Sequence, residues 1–263
     1  MHEQTSCEDQ WALVTGASSG IGSAFAALLA ARGAKLVLAA RSGAPMEALA
    51  ATLRSRHGVE VVVETIDLAR AGVGAELFAR LAARGIAVDI LVNNAGFGVH
   101  GDFHAQPLAR TLEMLQLNIA SLTELTHVFA NDMARRGGGH ILLVASILGY
   151  VATPGYAAYA ASKAYVLHFG EALRLELAPH GVHVTVLSPG VTRTNFMGVS
   201  GMTATPIQKL LSMAAEPVAA AGLAAMLQRR AAVMPGLPNR LMVLLCRLAP
   251  RTLQARVMAF AMR

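Results

Sequence analysis

Short runs of β-branched and aliphatic residues alternate along this chain with longer Ala- and Leu-rich stretches of helical period. A brief uninterrupted apolar run suits a strand covered on both faces, whereas apolar positions recurring every three to four residues mark one face of a helix. On this basis strands are predicted at Trp11 to Thr15, Lys35 to Ala40, Glu60 to Asp67, Ile90 to Asn93, His140 to Ser146 and His183 to Ser188, with a short seventh near Ala232 to Met234. Helices are predicted at Ile21 to Arg32, Pro45 to His57, Gly74 to Arg84, Leu108 to Arg135, Gly155 to Ala178 and Pro217 to Arg229. Repeated strand–helix units joined by right-handed crossovers make an α/β protein. The expected form is a doubly wound, mostly parallel seven-stranded sheet with helices on both faces and a ligand crevice beyond the carboxyl ends of the strands. Two segments break the rhythm: a Thr-, Met- and Pro-containing stretch from Val191 to Glu216, and an apolar, Arg-studded tail from Asn239 to Arg263.

Length and composition narrow this picture. At 263 residues the chain fits one large domain over residues 11–263, preceded by a polar tail over residues 1–10 that is expected to be flexible. The hydrophobic content of 54% and the 24 glycines suit a sheet packed between Ala-rich helices. Cys7 and Cys246 do not form a disulfide framework, and the histidines lack metal-ligand spacing. The start of the chain has no apolar core of a secretory signal, and no run is long enough for a spanning helix, so a cytoplasmic protein is expected. The net charge of +6 suits either an anionic ligand or a basic, solubilising surface. Lysines and arginines are scattered, with no interleaved aromatics, so no nucleic-acid partner is expected.

Chemistry concentrates at predicted strand ends. The first strand runs into Thr15-Gly16-Ala17-Ser18-Ser19-Gly20-Ile21-Gly22 and then directly into a helix. A turn of this kind turns backbone N–H groups and a helix N-terminus toward a pyrophosphate, and the missing side chains permit close approach. The second strand ends in Ala39-Ala40-Arg41-Ser42, with no carboxylate to accept a ribose 2′-hydroxyl. Arg41 instead suits a 2′-phosphate, so NADP(H) is preferred, with NAD(H) as the other cofactor. Farther along, Tyr159-Ala-Ala-Ser-Lys163 places a phenol and an ammonium one helical turn apart. A nearby cation favours the phenolate, so Lys163 is expected to lower the Tyr159 pKa.

Together Thr15-Gly16-x-x-x-Gly20-x-Gly22, Asp67-Leu68, Asn93-Asn94-Ala95-Gly96, Asn118, Ser146, Tyr159-x-x-x-Lys163 and Pro189-Gly190 resemble the short-chain dehydrogenase/reductase family from about Trp11 to Met234. The resemblance implies a Rossmann-type fold and an oxidoreductase acting on CH–OH or C=O groups. It implies that Tyr159 is the general acid, that Lys163 tunes the phenol and holds the nicotinamide ribose, and that Ser146 hydrogen-bonds the substrate oxygen. Asn118 joins a water-linked proton relay to Lys163; a solvated asparagine on a helix face is the plainer alternative. For the cofactor, the resemblance implies contacts from Gly16, Ser18, Ser19, Gly20, Ile21 and Gly22, from Asp67 and Leu68 beside the adenine, and from Asn93, Ala95 and Gly96 beside the ribose. Pro189, Gly190, Val191, Thr192 and Thr194 flank the nicotinamide, and hydride transfer from its pro-S face is implied.

Phe97, Val99, His100, Leu148, Tyr150, Val151, Tyr156, Phe196, Met197, Met202 and Met213 are placed around the carbonyl, an apolar set that suits a lipophilic substrate. His100 is read as either a substrate contact or an ordinary loop residue. For the tail, packing on the substrate loop or on another subunit is the preferred reading; a basic amphipathic helix on an anionic membrane surface is the other. The resemblance implies a homodimer or homotetramer paired through the helices at Leu108 to Arg135 and Gly155 to Ala178. An NADPH-dependent carbonyl reductase is the leading function. A secondary-alcohol dehydrogenase and a non-catalytic NADPH-binding regulator compete with it, and the intact Ser, Tyr, Lys and Asn set weighs against the regulator.

Overall fold

The computed structural model describes residues 6–194, 196–201 and 212–261. Seven parallel strands form the central sheet: β1 (Trp11–Thr15), β2 (Lys35–Ala40), β3 (Val61–Thr65), β4 (Val88–Asn93), β5 (Gly139–Val144), β6 (Val182–Leu187) and a two-residue edge strand (Ala232–Val233). In space the order is β3-β2-β1-β4-β5-β6 followed by that edge strand. The order therefore reverses between β1 and β4, where a doubly wound sheet opens its crevice.

The alternation of side chains along each strand divides the core into two layers. Ala12 and Val14 of β1, with Leu36 and Leu38 of β2, face α1 (Gly20–Ala30), α2 (Gly43–His57) and the helix Ala215–Leu227, and Phe25, Met46 and Val218 fill that layer. Leu13, Val37, Leu91 and Leu143 face α3 (Val73–Ala82), α5 (Leu122–Arg136) and α6 (Ala157–Leu177), against Leu77, Phe129 and Val166. Complete burial of such a side chain contributes roughly 1.5–3 kcal/mol. Two covered faces explain why these strands read as continuous apolar runs.

Three expectations are corrected. The helix predicted over Leu108 to Arg135 is interrupted: α4 (Leu108–Leu115) passes through a π-type turn at Gln116–Ser121 before α5 begins. The third strand is shorter than Glu60 to Asp67: Ile66 N still bonds Ala40 O at 3.0 Å, and the chain then passes into a turn at residues 68–69. Residues 7–10 are not a free tail: Cys7 is fully buried, its N–H bonds Arg32 O at 3.0 Å, and Gln10 O accepts from Lys35 N at 2.9 Å. Within the irregular stretch from Val191 to Glu216, β7 (Thr192–Arg193) and β8 (Met213–Ala214) pair in parallel, and a short helix, α7 (Phe196–Ser200), follows β7. The helix after β8 is α8 (Ala215–Leu227), and the edge strand is β9. The tail folds as α9 (Leu237–Leu248) and α10 (Arg251–Ala261).

Candidate active site

The turn after β1 is held in shape by its neighbours. Gly16 and Gly20 have φ of 66° and 61°, the left-handed region open to glycine at little cost. A Cβ on Gly16 would lie 2.8 Å from Asn94 Nδ2, and one on Gly20 would lie 2.8 Å from Thr194 Cγ2. The Thr15 hydroxyl accepts from the N–H groups of Asn94 and Ala95, each at 2.9 Å, and Asn94 Nδ2 returns a bond to Thr15 O at 2.9 Å. Thr15 and Asn94 thus latch the glycine turn to the end of β4. Both belong to the quoted motifs, but motif membership alone does not reveal a latch. Ser19 is exposed at the N-cap of α1 with no side-chain cap, so the first N–H groups of that helix point into the crevice. This cradle, lined by a helix terminus and closed to larger side chains, fits a dinucleotide pyrophosphate.

Around it, Arg41 lies just beyond β2, exposed, with its guanidinium 3.2 Å from Glu113 Oε1. Asp67 is exposed and accepts from Ala69 N at 3.1 Å, while Leu68 is buried in the core. The Asn93 carboxamide does not face the crevice, since it donates to Leu122 O at 3.0 Å and to Thr126 Oγ1 at 3.2 Å. Only its backbone ends the strand there. Pro189 O accepts from Ile147 N at 3.0 Å, Val191 O accepts from Met213 N at 2.9 Å, and Thr192 Oγ1 donates to Gly190 O at 3.1 Å. These bonds tie the segment after β6 to its surroundings opposite the glycine turn.

Tyr159 and Lys163 are both buried on α6, and the Lys163 ammonium sits 5.8 Å from the phenol ring centroid, donating to Val144 O at 2.8 Å. The Ser146 side chain lies close enough to the Tyr159 phenol to act on its ionisation. Burial pushes the Tyr159 pKa well above the usual phenol value, and the nearby Ser146 hydroxyl offsets only part of that rise. The lowering expected from Lys163 does not appear: desolvation sets the direction of the shift in the folded chain. Burial also pushes Lys163 down to about 8. Ser146 caps a turn at Ile147–Tyr150, accepting from Leu148 N at 3.2 Å.

Asn118 lies in the π-type turn and is fully buried, which excludes the solvated reading. Its amide donates to Phe97 O at 2.9 Å and to Ser162 Oγ at 3.2 Å, and its Oδ1 accepts from Phe97 N at 3.2 Å. Ser162 in turn donates to Tyr159 O at 2.7 Å, so a residue that the sequence reading passed over joins Asn118 to the helix carrying Tyr159. Gly96 separates the key groups: a Cβ there would lie 2.8 Å from Asn118 Oδ1 and 3.5 Å from Lys163 Nζ.

Of the apolar set, Phe97 and Tyr156 cluster with Tyr159 and Met114, with Val99, Leu148 and Phe196 packed against them. The rings of His100 and Tyr156 lie 4.9 Å apart, and those of Tyr159 and Phe196 lie 5.5 Å apart. Tyr150 and Met213 do not join this cluster. Tyr150 packs on the sheet core, with its hydroxyl 3.4 Å from Ser188 Oγ, and Met213 packs on the opposite core layer. Val151 is buried, Met202 lies outside the described residues, and Met197 is described only as backbone of α7. Among the described residues, no group of three His, Cys, Asp or Glu side chains could hold a metal ion.

The profile of the short chain dehydrogenase family matches residues 10–204, and the chain belongs to that family. A short-chain dehydrogenase from Sphingobium yanoikuyae, solved in complex with NADPH, is 35% identical, covers 89% of this chain and 92% of its own, and superposes with a TM-score of 0.81. A bulky-bulky ketone specific alcohol dehydrogenase from Comamonas testosteroni is 30% identical, with coverage of 92% and 95% and a TM-score of 0.76. A very-long-chain 3-oxoacyl-CoA reductase from Phaeosphaeria nodorum is 35% identical over 178 residues, which make up 66% of this chain and 52% of that protein. The chain thus spans about half the length of that curated relative.

Proposed function

We propose that this chain is an NADPH-dependent reductase that converts the carbonyl of a lipophilic ketone or aldehyde to an alcohol. One observation carries the reading: a buried phenol beside Ser146, with a buried ammonium on the same helix face, next to a cradle that fits a dinucleotide. The complex of the Sphingobium relative with NADPH and the ketone specificity named for the Comamonas relative support it.

Gly16, Ser18, Ser19, Gly20, Ile21 and Gly22 hold the pyrophosphate, and Arg41 exchanges Glu113 for the 2′-phosphate. Asp67, Leu68 and the backbone of Asn93, Ala95 and Gly96 bound the adenosine, while Pro189, Gly190, Val191, Thr192 and Thr194 bound the nicotinamide. The bound cofactor supplies the hydride. Ser146 donates a hydrogen bond to the carbonyl oxygen, and Tyr159 gives that oxygen its proton. A phenol with a raised pKa starts protonated, as an acid must. Lys163, held by Val144 O, binds the nicotinamide ribose, and its charge beside the phenol stabilises the phenolate once the proton has left. Asn118 positions the turn behind Lys163 and starts the path by which the proton is replaced. Burial of the apolar cluster around Tyr159 excludes water and favours a lipophilic substrate.

The test is NADPH oxidation followed against aliphatic, aromatic, acyl and steroidal ketones, with NADH in parallel. Turnover with at least one ketone class is expected. Tyr159→Phe should lower kcat by roughly 10²–10⁴-fold while NADPH still binds. Wild-type activity in that variant would remove Tyr159 from its role.

A further inference from the structure

The basic charge of this chain is unevenly divided. All 16 acidic residues and 15 of the 22 basic ones precede residue 217, so that part carries a net −1. The last 47 residues hold seven arginines and no acid, and thus the whole positive excess. Across the described part of this region, Leu237, Leu241, Leu244, Leu245 and Leu248 of α9 are each more than half exposed. At 100° per residue these five fall within an arc of about 100°, a single apolar stripe. The helix is fastened from its other side: Val243 is buried, and Asn239 Nδ2 donates to Pro235 O at 2.7 Å. Leu253 and Val257 of α10, one turn apart, are also about half exposed, while Met258 is buried. The first helix is therefore anchored to the domain from its inner side, α10 buries Met258, and both still present apolar residues outward. The Arg240 guanidinium donates to a neutral carbonyl, Met234 O, at 2.8 Å, so its charge stays uncompensated there.

Exposed leucine at helical spacing costs solubility, and a surrounding region of arginines without acids repels its own copy. One surface accepts both features at once. We propose that α9 and α10 dock this protein on an anionic phospholipid bilayer, with the leucine stripe entering the headgroup–acyl boundary and the arginines meeting lipid phosphates. Interfacial docking needs no spanning element, and among the described residues no helix is long and apolar enough to cross a membrane. Because α9 contacts the Ile147–Tyr150 turn that follows Ser146, the docked helix lies beside the candidate site.

The full chain is tested by co-sedimentation with vesicles of phosphatidylcholine alone and of phosphatidylcholine mixed with phosphatidylglycerol. Binding to the mixed vesicles is expected, at least roughly tenfold weaker to the neutral ones, and weakened by salt. Replacing Leu241 and Leu244 by Asn should weaken binding by roughly tenfold or more, and Arg256→Gln by about fivefold. All these variants should keep wild-type circular dichroism and turnover of a small soluble ketone, which separates this inference from the proposed reaction. Equal affinity for both vesicle types, or none, overturns it. Leucine variants that instead shift the sedimentation coefficient, with vesicle binding unchanged, would reassign the face to a second copy of the chain.

Discussion

Two side chains carry testable consequences of their own. Arg41 is exposed and pairs with Glu113, which itself also binds Arg110 at 2.6 Å. A charge-assisted contact to a phosphate is worth about 1.5–3 kcal/mol. Arg41→Asp should therefore raise KM for NADPH by roughly tenfold to a hundredfold and leave that for NADH nearly unchanged; equal loss with both nucleotides would end the assignment. At the amino ends of β5 and β6, the rings of His140 and His183 lie 5.4 Å apart, near Arg229 and Asp89. Burial first, then the positive neighbours His183 and Arg229, push His140 down to about 4. An unfolded histidine takes up its proton near its usual 6.5, so the native state should lose stability as pH falls from about 6.5 toward 4, and no further below that on this account. Denaturant melts at pH 7 and pH 5 should show this acid loss, and His140→Gln should lessen it. An identical loss in the variant would assign the effect elsewhere. Neither histidine stood out in the sequence, because their interaction depends on the register of β5 against β6, which pairs His140 with His183.

Among elements, α6 carries Tyr159 and Lys163 of the proposed site and rests on the sheet through Gly170. A Cβ at Gly170 would overlap Val186 Cγ2 and sit 3.2 Å from Leu143 Cδ1. Val186 is branched and buried in the sheet, with little room to yield. Gly170→Ala gains up to about 1 kcal/mol in helix propensity, yet overpacking costs about 1–3 kcal/mol. A net loss of stability is expected in thermal melts, with reduced kcat because Tyr159 and Lys163 move with the helix; a rise in Tm would show that the contact relaxes freely. The positions of the strands were legible in the sequence because both faces of the sheet are covered, leaving continuous apolar runs. The break at Gln116–Ser121 was not, since Leu, Ile and Ala around Asn118 suit an α-helix and a π-type turn alike. The glycine turn, Ser146, Tyr159 and Lys163 were readable as motifs. Missed were the inward rotation of Asn93 and the joining role of Ser162, which follow from how α5 and α6 pack.

At the scale of the molecule, Leu108 and Leu112 of α4 and Leu175 of α6 are more than half exposed. Pairing of two copies through these helices would cover them. Leu112→Glu with Leu175→Glu is expected to lower the mass seen in sedimentation velocity, whereas an unchanged mass would place any pairing elsewhere. The π-type turn sets the relation between that outer face and the interior. It holds one residue more than an α-helical turn would, so deleting a single residue there would restore a continuous helix and rotate α5 by about 100° relative to α4. The stripe that packs on the sheet would then fall out of phase with the stripe that faces outward. For this rod, the surface turned to other molecules and the burial of Asn118 are settled together by one supernumerary residue, and neither can drift without the other.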